Sequence, residues 1–109
     1  MSKSGLRQWL LAQPACVTYA EAAAAMGLSP PGVIAQVTAL LEATMVDDAA
    51  AGQPFVAARV VSRATALPGR GFFDLAARLG RFDGSDAAAF HAAECAALSR
   101  APEGPKTGA

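Results

Sequence analysis

Apolar side chains recur at helical spacing along most of this chain and give way to a short β-branched run in the middle. Leu6, Trp9 and Leu10 share one helical face and Pro14 ends the run, which predicts a first helix over residues 4–13 behind a frayed start at 1–5. Thr18-Tyr19-Ala20-Glu21 has the form of a capping box. The threonine oxygen can accept the Glu21 amide, and the Glu21 carboxylate can accept the Thr18 amide. A short helix over residues 19–26 follows, with Gly27 as its stop. Ser29-Pro30 reads as the next start, serine capping and proline at the first helical position. The third helix carries Val33, Ile34, Val37, Leu40, Leu41 and Met45. Asp47 and Asp48 oppose the dipole at its C-terminal end, so fraying is expected there, and Gly52 and Pro54 close the segment.

Residues 55–62 are the only run that reads as a strand. Beyond Leu67-Pro68-Gly69-Arg70-Gly71 the pattern predicts a short amphipathic helix over 72–79, stopped by Gly80. A last alanine-rich helix is capped by Ser85 or Asp86 and ends near Arg100. Two helices over 18–40, joined by a tight glycine turn with the small Ala23 at the point of close approach, form a helix-turn-helix pattern. The expected fold class is mainly α with a small β element, winged-helix-like (helix-turn-helix plus short wing) with extra C-terminal helices. One domain is expected over 1–100, with a disordered tail over 101–109.

Composition narrows the function. The chain has 109 residues, of which 53% are hydrophobic and only 17% charged, against about 25% charged in an average soluble domain. Nine basic and nine acidic groups cancel, which excludes a highly charged disordered regulator and a basic, nonspecific nucleic-acid coat. Much of the apolar content is alanine, so the core must rest on a few large side chains. No apolar run reaches the ~20 residues of a membrane span, and the N-terminus does not read as a secretory signal. Cys16 and Cys95 form no C-x-x-C pair and are expected as two buried free thiols in a reducing cytoplasm. A disulfide would require the fold to bring them together. Charge is unevenly placed: Arg59, Arg63, Arg70, Arg78 and Arg81 stand against Asp74 alone, between two acidic flanks.

Val17-Thr18-Tyr19 followed by Glu21, Ala23 and Gly27 resembles the helix-turn-helix entry of the DNA alkyltransferases and alkyltransferase-like proteins. Pro30, Ala39-Leu40 and Arg59-Val60-Val61 resemble further landmarks in the same order, so the resemblance spans residues 17–61. It implies a winged-helix body that binds duplex DNA. In that family a proline-cysteine-histidine-arginine motif carries the nucleophile. Here Val56, Ala57 and Ala58 precede Arg59, and alanine supplies neither thiol nor base, so alkyl transfer is not expected. The arginine that this family inserts to displace a base is replaced by Val33 or Ile34, so base flipping is not expected either.

On the third helix Gln36 alone has a side chain suited to reading base edges. Phosphate contact by Arg59, Arg63 and Arg70 should dominate, and the candidate DNA-contacting set is Tyr19, Ser29, Gln36, Arg59, Arg63 and Arg70. Pro68-Gly69-Arg70-Gly71-Phe72-Phe73 reads as a turn that delivers two phenylalanines to the core, with amides that could also hold an anion. His91 and Cys95 share a helix face beside Glu94. A metal needs three or four ligands and no others lie near in sequence, so no metal and no cofactor are expected, and the pair reads as packing. No complete catalytic constellation is legible, so no enzymatic activity is expected. The expectation is a small cytoplasmic DNA-binding regulator or accessory factor. The rival reading is an interaction module that uses its last helix to form a homodimer or dock a partner.

Overall fold

The computed structural model describes residues 3–100. Helix α1 spans Lys3–Ala12, strand β1 Val17–Thr18, α2 Tyr19–Ala25, α3 Val33–Ala51, β2 Val60–Val61, α4 Arg70–Arg78 and α5 Ala87–Arg100. A 3-10 turn over Val56–Arg59 precedes β2. The protein is mainly α with a small β element. No helix among the described residues is long and apolar enough to cross a membrane. The tail expected to be disordered lies outside the described residues, as do Met1 and Ser2. Residues 3–5, expected to fray, are helical, and Lys3 reaches Asp47 of α3 at 2.8 Å.

The capping box at Thr18 is present: Glu21 N donates to Thr18 Oγ1 at 3.1 Å, and Thr18 N donates to Glu21 Oε1 at 2.8 Å. The stop at Gly27 takes the left-handed conformation with φ 68°. Its N–H reaches Ala24 O while Leu28 N–H reaches Ala23 O, the paired bonds of a Schellman motif.

The start of α3 is displaced from Ser29-Pro30 to Val33, with Gly32 in a left-handed N-cap conformation. Each of the consecutive prolines Pro30 and Pro31 disfavours helical backbone in the residue before it, so the chain bends until Gly32. The far end of α3 also departs from the expected fraying. The helix runs to Ala51 and closes on Gly52 with a second Schellman pair, Gly52 N to Ala49 O and Gln53 N to Asp48 O. Asp48 is only 2% exposed. It pairs with Arg7 of α1 and accepts the Val56 amide at 3.1 Å. Tertiary partners thus supply what the dipole withholds.

The strand expected over 55–62 contracts to Val60–Val61. Its first half winds into the 3-10 turn, in which Val56, Ala57 and Ala58 are buried against α1 and α3. Two alanines lack the branched side chains that favour a pleated strand, and they are small enough for helices to close over them. β2 pairs in parallel with β1, Val17 opposite Val60 and Thr18 opposite Val61. The helical hairpin α2–α3 is therefore the crossover between two strands and is held at its base.

The core is built from Leu6 and Leu10 of α1, Val37 and Met45 of α3, and Phe55 and Val60, each at most 1% exposed. α4 and α5 close the other side with aromatic contacts: Phe72 lies edge-on 5.1 Å from Phe73 and 6.0 Å from Phe55, and Phe82 lies 4.9 Å from Phe90 with the rings tilted at 34°. Asp86 caps α5 by accepting Ala89 N at 3.0 Å.

Candidate functional site

Two places concentrate chemistry. The first is a groove of about 460 Å³ lined by Thr18, Tyr19, Ala20, Ile34, Val61, Ser62 and Arg63. The start of α2, the first turn of α3 and the loop after β2 meet there. Ile34 is 51% exposed, an apolar side chain presented at the mouth of the helix pair. The Tyr19 hydroxyl accepts Gly69 N–H at 2.8 Å, which leaves its own O–H free to donate. That bond also fixes the loop that carries Arg70 against α2. Arg63, Arg70 and Arg78 are exposed, and their side chains make no hydrogen bond or ion pair among the described residues.

The other candidates lie elsewhere or are occupied. Arg59 is a correction. Expected on the phosphate-contacting face, it is 8% exposed and donates to Gln13 O at 2.7 Å, which ties the 3-10 turn to the end of α1. Its Nε is buried without a partner. Arg81 is likewise withdrawn: it pairs with Glu94 at 3.1 Å and lies 4.2 Å from the centre of the Phe55 ring. Of the five arginines between 59 and 81, Arg63, Arg70 and Arg78 alone are exposed, and Arg63 is the one that lines the groove. Gln36 spends its amide protons inside the protein, donating to Ser29 O at 2.9 Å and Pro31 O at 3.0 Å. A bidentate contact to adenine needs such a donor, so Gln36 as it stands braces the turn and does not present a reading edge. Ser29 is exposed on that same turn.

The second place was not legible in the sequence. Cys16, on the loop entering β1, meets His91 and Cys95 of α5. The two sulfurs are 3.8 Å apart, and Cys95 Sγ lies 3.3 Å from His91 Nε2. All three donor atoms lie within 4.8 Å of one another. Two expectations are corrected here. The free thiols are not both buried, since Cys16 is exposed and Cys95 half-buried, and the fold does bring them together. His91 and Cys95 also do have a third potential ligand beside them. Spacing on α5 revealed that pair, but only the tertiary fold delivers Cys16.

The carbonyl oxygen of Ala58 completes the cluster. It lies 2.8 Å from His91 Nε2, 3.6 Å from Cys95 Sγ and 3.9 Å from Cys16 Sγ. Burial is the main force that pushes the Cys95 thiol up to about 12, and the neighbouring Cys16 adds to it; Arg59 opposes the shift. The thiol is thus protonated at neutral pH, which makes it a poor nucleophile.

Comparison with protein-family models, with curated proteins and with solved structures returns no match for this chain.

Proposed function

We propose that the protein is a winged-helix-like DNA-binding protein, a regulator or accessory factor that engages the duplex chiefly through its phosphates. One observation carries this reading. The groove at the mouth of the α2–α3 pair is bordered by the unpaired cation Arg63 and by the Tyr19 ring, whose hydroxyl retains a proton to donate. A helix pair of this form presents its second helix to a major groove, and flanking loops reach the backbone. Cations committed to internal partners cannot contribute, so the electrostatic work falls to Arg63, Arg70 and Arg78. With the Gln36 amide turned inward and Ile34 at the leading turn, base discrimination would come from apolar contact and duplex shape. The resemblance to the alkyltransferase-like proteins points the same way, without their reactive cysteine.

The test is electrophoretic or anisotropy titration of short duplex DNA across a salt series. The logarithm of the binding constant should fall linearly with the logarithm of salt. Arg63→Ala combined with Arg70→Ala should reduce that slope by about 2, one unit for each phosphate contact removed. Absence of binding at low salt and micromolar protein would refute the reading.

A further inference from the structure

The cluster at the start of β1 has distances close to those of a metal site. In a tetrahedral zinc site, metal–sulfur bonds of about 2.3 Å and metal–nitrogen bonds of about 2.0–2.1 Å place two sulfurs about 3.8 Å apart and sulfur about 3.5 Å from nitrogen. The observed sulfur–sulfur distance is 3.8 Å and the Cys95 sulfur–nitrogen distance 3.3 Å. All three donor atoms lie within 4.8 Å of one another, and Ala58 O stands 2.8 to 3.9 Å from each of them as a fourth donor, an oxygen, beside the set. A second observation concerns protons. Without a cation, two thiol S–H groups and an imidazole N–H compete for one carbonyl oxygen that has two lone pairs. A single cation would take a lone pair from both thiolates and from the imidazole and so relieve that crowding of donors at one oxygen.

We propose that Cys16 Sγ, Cys95 Sγ and His91 Nε2 bind one thiophilic transition-metal ion of the zinc class, with the Ala58 carbonyl oxygen facing the fourth position. Zinc is the fitting member of that class because two thiolates and one imidazole match its borderline-soft character and its tetrahedral preference. Binding releases two protons, one from each thiol. His91 carries its remaining proton on Nδ1, and Nε2 ligates. The two thiolate charges neutralise the divalent ion, which makes the filled site neutral. Cys16 is exposed, so an ion can enter without unfolding the core. The filled site would fasten α5 to the segment that leads into Thr18, the N-cap of α2, and thereby to the edge of the groove. It stands on its own geometry and does not depend on DNA binding.

The experiment titrates the reduced full-length chain with Co2+ and then with Zn2+. The expected result is thiolate-to-cobalt charge-transfer absorption with tetrahedral d–d bands, saturating at one ion per chain and bleached by zinc. Loss of an outer-sphere partner weakens metal sites by about 10–100-fold, so Cys16→Ser, which removes a ligand, should weaken binding at least about 100-fold. The exposed position of Cys16 leaves the core intact, which circular dichroism verifies. His91 is the only histidine in the chain, so its ring resonances report coordination independently of any variant and should shift on zinc addition. Reduced protein without a charge-transfer band, an unmoved His91 resonance, or unchanged affinity in Cys16→Ser would each overturn the proposal.

Discussion

Asp48 shows how far a single side chain can depart from its local expectation. Two adjacent carboxylates near a helix C-terminus oppose the dipole, yet Asp48 is buried and Asp47 meets Lys3 at the surface. Burial raises the Asp48 pKa above the ordinary 3.8, more than the Val56 amide and Arg7 lower it. On acidification the native state therefore takes up this proton before the unfolded state does, so Asp48 opposes acid unfolding. Its removal is costly even so. Asp48→Ala leaves the Val56 N–H without an acceptor and Arg7 without its partner. Breaking a fully buried pair costs about 3–5 kcal/mol. Because the Arg7 side chain is 30% exposed and can turn to water, the expected loss is about 2–3 kcal/mol, read from the denaturation midpoint. Arg59 is the converse case. Its position among five arginines marks it as a surface cation, and only the packing of the 3-10 turn against α1 shows that it is enclosed.

At the scale of elements, what could be read was what is local. The capping box at Thr18, the stop at Gly27, the cap at Asp86 and the helical periods of α1 and α5 all depend on residues within a turn of one another and stand where the pattern places them, while α4 begins at Arg70, two residues ahead of the expected Phe72. What escaped was set from a distance. The start of α3 yields to a proline pair, and the 55–62 run is coiled by its packing against α1 and α3. The Cys16–His91–Cys95 cluster joins segments that no spacing rule connects. Gly52 tests one of the local devices. Its φ is 68°, and a β-carbon there would meet nothing within 4 Å. Gly52→Ala should therefore cost only the backbone strain of a left-handed alanine, about 1–2 kcal/mol, with an unchanged denaturant m-value.

For the molecule as a whole, α5 is attached chiefly at the 3-10 turn. His91 reaches Ala58 O, and Glu94 accepts the Phe55 amide at 2.8 Å while holding Arg81. The same interface shapes global stability in alkali. Cys95 has its pKa raised from 9.0 to about 12, so the native state keeps a proton that the unfolded chain surrenders. Its contribution is complete below 9.0, declines as pH climbs between those two values and is gone above the upper one. Urea unfolding of the metal-free chain should show this decline, and Cys95→Ser should flatten it.

The parallel register of the two short strands has a consequence for biosynthesis. Val17 and Thr18 leave the ribosome before Val60 and Val61 and have no partner strand until those follow. The helical hairpin must wait, tethered at one end only, while α3 is translated. Closure then arrives late and all together, since the segment that completes the sheet also brings Phe55 and Val56 into the core.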